Sequence, residues 1–284
     1  MQDFMKLNDP LFFTVAQVRC RCKNYEINAA TGFFWGDDER SELYFITNRH
    51  VVIDENEGYY PDEIRLKLHR NPKKPNANPI YTISLYNEND EHVWLEHPRN
   101  QEVKRQEKMI DVVAIKLDKN IISFEYYIES FKFHNYACRL SNWDDLAVIG
   151  YPEGIYDTKN NYPIIRRATL ASAPSVPFEK EPKILIDAQL HPGTSGSPVL
   201  SPTNYCSEFN YPKPDEEPLE AVSEDALDAA RFSISQSLVG IHSGEFDRAN
   251  PELGLHNVWL AGLIPDIIRE RSLYFDNLGC ELSD

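Results

Sequence analysis

His191-Pro192-Gly193-Thr194-Ser195-Gly196-Ser197-Pro198-Val199 says more about this chain's architecture than any other segment. It places a serine in a turn, with glycine two residues before it, glycine directly after it and proline at +3. Glycine reaches backbone conformations that a Cβ forbids, so successive N–H groups in such a turn can aim at one point and stabilise an oxyanion. Taken alone, a Gly/Ser/Pro cluster is an ordinary turn. Two upstream segments change that reading. Tyr44-Phe45-Ile46-Thr47-Asn48-Arg49-His50-Val51-Val52 is an apolar run that delivers a histidine at its end. Met109-Ile110-Asp111-Val112-Val113-Ala114-Ile115-Lys116-Leu117 sets an aspartate at the start of a nearly continuous apolar stretch, the pattern expected where a buried strand meets a cleft. A base, an orienting carboxylate and a nucleophile therefore follow one another as His50, Asp111 and Ser195.

Each of these residues has a plain structural reading when taken singly: His50 as a strand-end histidine, Asp111 as a strand-start cap. The joint order is what carries chemistry. It is the order of chymotrypsin-type triads, whereas subtilisin-type and α/β-hydrolase triads run differently. An α/β hydrolase also needs G-x-S-x-G, but position 197 is serine, and the strong Asp and His segments precede Ser195. His242 and His256 compete as bases lying after the serine.

On these residues the chain resembles the trypsin-like serine peptidases of the chymotrypsin clan, nearest the bacterial high-temperature-requirement (Deg) branch, without a PDZ domain. That branch shows T-N-x-H-V-V at the histidine, D-V-A-V at the aspartate and D-A-x-I-N-P-G-N-S-G-G-P at the serine. Here the counterparts are Thr47–Val52, Asp111–Ala114 and Asp187–Pro198, with Ala147–Pro152 and Leu238–Gly244 as further family-like elements. The resemblance implies an all-β fold of two packed six-stranded antiparallel β-barrels with a short C-terminal helix. It implies a serine endopeptidase in which His50, Asp111 and Ser195 form the triad and the N–H groups of Gly193 and Ser195 form the oxyanion hole. It places Gln189, His191, Ile241, Ser243, Gly244 and Glu245 around the substrate pocket, and Ser243 behind the triad aspartate. The strand at Ile241–Gly244 would pair with the substrate backbone. No aspartate falls on the pocket floor, which points to neutral side chains at P1, with Glu245 able to recruit Lys or Arg. Thr194 stands where secreted zymogens carry an aspartate, so activation by N-terminal cleavage is not expected. Ser197 replaces the usual glycine.

Length and composition agree with a two-barrel chain. The 284 residues are 42% hydrophobic and 12% aromatic, a globular balance. A net charge of −16 without a basic stripe argues against nucleic acid. The opening Met-Gln-Asp-Phe-Met-Lys-Leu-Asn-Asp-Pro lacks a secretory pattern, no apolar run approaches the ~20 residues of a membrane span, and five cysteines form no metal-ligand motif. The expectation is a cytoplasmic protein with reduced thiols, no cofactor and no metal, acting on a protein or peptide and open to a regulatory protein partner. Short candidate strands run Phe12–Cys20, Gly32–Trp35, Leu43–Thr47, Ile64–Leu68, Tyr81–Leu85 and Val112–Lys116. A second group runs Leu146–Gly150, Ile164–Ala171, Ile184–Asp187, Gly196–Leu200, Leu238–His242 and Val258–Leu263. They divide the chain into an N-terminal half, 1–125, with His50 and Asp111, and a C-terminal half, 126–284, with Ser195. The second half also holds an acidic insertion at about 203–236 and a helix at Asp266–Tyr274. The competing reading is a catalytically silent pseudo-peptidase that holds a peptide or partner in the same cleft; a third keeps the triad under a partner's control, as a stress or defence effector.

Overall fold

The computed structural model describes residues 10–102, 109–118, 126–132, 140, 144–201, 237–246 and 250–273. Seven strands form one sheet: β1 (Val15–Cys22), β2 (Tyr25–Asp37), β3 (Glu42–Thr47), β4 (Glu63–Lys67), β5 (Ile80–Ser84), β6 (Trp94–Glu96) and β7 (Val113–Leu117). Their order is β5-β4-β1-β2-β3-β7-β6, and β8 (Phe131–Lys132) adds to β2 in parallel. This sheet curls into a half-barrel, in keeping with the all-β double barrel expected, although it is open and holds eight strands where six were expected. The second sheet is a closed six-stranded barrel in the order β10-β11-β14-β13-β12-β9. Its strands are β9 (Asp145–Gly150), β10 (Ile164–Leu170), β11 (Lys183–Asp187), β12 (Pro198–Ser201), β13 (Ser237–Glu245) and β14 (Leu255–Leu260).

The near-continuous apolar runs have a direct cause. Successive strand side chains point to opposite faces, and in the first sheet both faces are buried. Phe34, Phe45, Val113 and Ile115 fill the inside of the curl. Their neighbours Phe33, Trp35, Tyr44, Ile46 and Ala114 point outward, into a cluster shared with Ile149, Leu200, Ile241 and Trp259 of the second half. The barrel has its own interior, built from Leu146, Val148, Ile184, Ile186, Val199 and Val258. A third layer covers the shared cluster: helix α3 (Leu263–Ile268) buries Leu263, Ile264, Ile267 and Ile268 there. It begins before the helix expected at Asp266, because Pro265 fits the first turn, where its missing N–H costs no hydrogen bond.

The halves are joined by polar contacts at several points. Arg99 pairs with Glu181 at 2.8 Å, the His69 ring meets the Asn160 carbonyl at 2.8 Å, and Asn161 donates to the Lys67 carbonyl at 2.9 Å. Residues 126–132 also return to the first sheet, with Tyr127 bridging His69 and Phe131 beside Trp35. The sheet of the first half therefore takes in residues past the division expected at 125. β6 and β8, at three and two residues, carry too little sequence to show a period. The acidic insertion at 203–236 lies outside the described residues. No helix among the described residues is long and apolar enough to cross a membrane.

Candidate active site

His50 owes its position to an abrupt change of backbone. β3 stops at Thr47, Asn48 stays extended, and a single helical turn, α1 (Arg49–Val52), follows. Val51 and Val52 are buried inside the curl, which anchors the turn and leaves the His50 ring about a third exposed. Arg49 clamps the same turn from outside, pairing with Glu55 at 2.6 Å and Glu96 of β6 at 3.0 Å.

Asp111 sits just ahead of β7. The preceding residue, Ile110, is held by Asn100, whose side chain accepts the Ile110 N–H at 2.8 Å and donates to its carbonyl at 3.0 Å. The Asn48 side chain donates to the Asp111 carbonyl at 2.7 Å. The Asp111 carboxylate then accepts from the His50 N–H at 2.8 Å, His50 Nδ1 at 2.7 Å and the Ser243 hydroxyl at 2.6 Å. A carboxylate only accepts, so Nδ1 carries the imidazole proton and Nε2 keeps its lone pair. Burial opposes the charged form of each partner, but mutual attraction and hydrogen bonding win. The His50 imidazole lies above its ordinary pKa and the Asp111 carboxyl below its own.

The turn that carries Ser195, the candidate nucleophile, is built from carbonyls pinned inward. The His191 carbonyl accepts the Thr194 N–H at 3.2 Å and the Thr194 hydroxyl at 2.7 Å, with Pro192 and Gly193 at the turn's centre. Gly193 has φ +94°, the left-handed value that the third position of a type II turn requires. The Pro192 carbonyl takes the Glu153 N–H at 2.6 Å, the Gly193 carbonyl the Thr31 hydroxyl at 2.8 Å, and the Ser195 carbonyl the Thr31 N–H at 2.9 Å. In a trans peptide the N–H points opposite to the C=O, so the Gly193 N–H is turned away from Glu153. Among the described residues the N–H groups of Gly193 and Ser195 find no acceptor. Gly196, at φ +83°, is seated so tightly that a Cβ would lie 2.1 Å from the Thr31 carbonyl and 2.5 Å from Thr47 Oγ1. This seat places the serine turn against Thr31 in the middle of β2 and Thr47 at the end of β3, three residues before His50. Ser197 is accommodated because its side chain occupies the space a Cβ on Gly150 would take.

Beside the turn lies a cavity of about 440 Å³. Of the six expected pocket residues, Gln189, His191 and Glu245 line it. Ile241 does not. It is a core residue of β13, paired on one side with Pro198 and on the other with Trp259, so neither its side chain nor its strand edge is open to a substrate. Ser243 spends its hydroxyl on Asp111, and Gly244, at φ +95°, has open space around its Cα. Asp187, Glu252 and His256 complete the polar lining and were not read from the sequence, since they come from β11, β14 and the turn before β14. The two histidines considered as alternative bases are buried together beneath the turn. Among the described residues no group of three His, Cys, Asp or Glu side chains is placed to hold a metal ion.

The model of the trypsin-like peptidase domain matches residues 30–206, more than half of the 284-residue chain. The chain belongs to the trypsin-like peptidase family. The family is one of serine-type endopeptidases, and the match spans the segments of His50, Asp111 and Ser195. Among solved structures, a serine endoprotease from Yersinia pestis superposes with a TM-score of 0.51 at 12% identity, covering 93% of this chain and 65% of that one. An HtrA-type protease, AlgW, in a variant form with a tripeptide, gives 0.51 at 13% identity over 92% of this chain and 62% of its own. This trypsin-like chain thus spans less than two thirds of either relative's length, and at such identities the likeness is one of fold.

Proposed function

We propose that the chain is a serine endopeptidase that cleaves peptide bonds through His50, Asp111 and Ser195. The observation that carries this reading is the Asp111 carboxylate, which fixes His50 in the tautomer whose Nε2 can take a proton. Ser195 Oγ attacks the scissile carbonyl as His50 Nε2 accepts its proton, and Asp111 stabilises the imidazolium. The carbonyl oxygen, now an anion, is met by the N–H groups of Gly193 and Ser195. The imidazolium then returns its proton to the leaving amine. Water, activated by the same ring, hydrolyses the acyl-enzyme. The substrate backbone has Ser243–Glu245 to pair with, rather than the longer segment from Ile241 expected at first.

The pocket narrows the substrate class. Asp187, Glu245 and Glu252 face one cavity whose lining contains no Lys or Arg, so a cationic P1 side chain fits it better than a neutral one. Labelling with a fluorophosphonate, followed by peptide mapping, tests the proposal. A serine-specific adduct at Ser195 that is absent from Ser195→Ala supports it. A folded protein that takes up no label, alone or with candidate partners, assigns the cleft to binding instead.

A further inference from the structure

Beneath Ser195 lie two imidazoles that the triad does not use. His242 and His256 are 2% and 3% exposed, and His242 Nε2 lies 3.2 Å from His256 Nδ1. His242 Nδ1 is 3.0 Å from the Thr194 carbonyl oxygen. The main chain of His242 grips the same turn twice more: its N–H donates to the Ser197 carbonyl and its carbonyl accepts the Gly196 N–H, both at 2.9 Å.

These contacts dictate where the protons sit. A carbonyl only accepts, so His242 Nδ1 must carry hydrogen to bond Thr194. Burial pushes the His242 imidazole down to about 3, so the ring is neutral and holds one proton. Nε2 is then an acceptor, so the contact between the rings calls for the hydrogen on His256 Nδ1, a proton for which the carbonyls of Ala188 and Gly244 compete. The groups facing the pair are His50 and Asp111 beside His242, and Glu245, Asp187 and the carbonyls of Ala188 and Gly244 around His256.

We infer that His242 is a positioning residue for the oxyanion site, with His256 fixing the tautomer it needs. The effect runs through one peptide plane and rests on the function proposed above. The Thr194 carbonyl and the Ser195 N–H belong to the same trans peptide, so drawing the carbonyl inward turns the N–H outward. Two donors draw it inward: the Ser197 N–H at 3.0 Å and His242 Nδ1. Without Nδ1–H the peptide keeps only the local turn bond from Ser197, and its plane is less firmly set. The Ser195 N–H, a donor that an oxyanion requires, is then no longer aimed. His256 acts at one remove. If its Nδ1–H is lost, His242 Nε2 has no donor, and the proton is free to settle on Nε2 and abandon Thr194.

The test uses the full chain and four variants: His242→Val, His242→Asn, His256→Phe, and the His242→Val/His256→Phe double variant. Asparagine can present an N–H near the place of Nδ1, and valine cannot. Fluorophosphonate labelling of Ser195 should slow on the order of 10²-fold in His242→Val, the size expected when one oxyanion donor is lost. Recovery in His242→Asn to within about tenfold of wild type, with peptide KM shifted less than about twofold, would match such a role. His256→Phe should fall between, and the double variant should be no slower than His242→Val, because both act through one contact. Imidazole ¹⁵N spectra should show the His242 proton on Nδ1 in the wild type and displaced in His256→Phe. The inference is overturned if His242→Val labels at the wild-type rate, if His242→Asn remains as slow as valine with its near-UV spectrum intact, or if the wild-type proton sits on Nε2. The spectra decide the matter even where a variant fails to fold. A wild-type protein that does not label would overturn the triad reading, while the ¹⁵N result would still judge the imidazole pair.

Discussion

Asp111 accepts from the His50 main chain, the His50 ring and the Ser243 hydroxyl, so its replacement exposes the chemistry of the site. Asp111→Asn should lower kcat by about 10⁴-fold while the protein stays folded, because an amide N–H facing Nδ1 favours the wrong imidazole tautomer. Steady-state kinetics against a melting curve would check this. Ser243→Ala removes one hydrogen bond to a charged group, worth about 1.5–3 kcal/mol, and should cost roughly tenfold or more in kcat/KM. The pH dependence has a definite sign. His50 is raised in the folded protein, so its pairing with Asp111 contributes full stability below about 6.5 and loses it as pH rises through the raised value. Activity runs the other way, since only the neutral ring can take the serine proton. A rate profile whose acid limb lies above about 6.5, on a protein whose stability declines over the same interval, is the expected pair of curves. A limb below the ordinary histidine value would contradict it.

At the scale of elements, the site is held by short pieces with exact partners. Asn100 in helix α2 (Arg99–Glu102) stands in for a neighbouring strand by exchanging two hydrogen bonds with Ile110. Asn100→Ala should destabilise the protein by about 1–3 kcal/mol in denaturant unfolding, because it orphans a buried N–H and a buried carbonyl. It should also lower kcat through Asp111, which directly follows Ile110. This layer was least legible in the sequence. The three candidate triad segments stand out in the sequence because an apolar run leading into a His, an Asp or a glycine-flanked Ser puts fold and proposed chemistry in one window. Asn100 carries no such mark; its partner is ten residues away across stretches that look like loop. Thr31 resembles any strand threonine, yet its contacts are with Gly193 and Ser195, far along the chain. Ser243 was legible only through family resemblance. Ile241 was misplaced because a strand motif does not tell which face meets the cleft until both neighbouring strands are known.

Over the whole molecule, Thr31 couples the halves. Its hydroxyl donates to the Gly193 carbonyl at 2.8 Å and accepts the Tyr151 N–H at 3.0 Å. Thr31→Val keeps the shape and removes both bonds. The expected outcome is a loss of about 2 kcal/mol and slower Ser195 labelling, with the melt remaining a single transition. Charge acts at the same scale. With a net charge of −16 and three carboxylates around the pocket, cleavage after Lys or Arg should exceed cleavage after Glu by at least about tenfold. That margin should narrow in high salt, and equal rates for the two would refute it. The seam that Thr31 spans has a further meaning for the making of the protein. On the ribosome His50 and Asp111 emerge long before Ser195, and the strand bearing His242 and Ser243 emerges later still. On the proposed function, a chain under synthesis therefore holds no competent cutting edge, and its own nascent segments are spared until nearly the last barrel strand has closed.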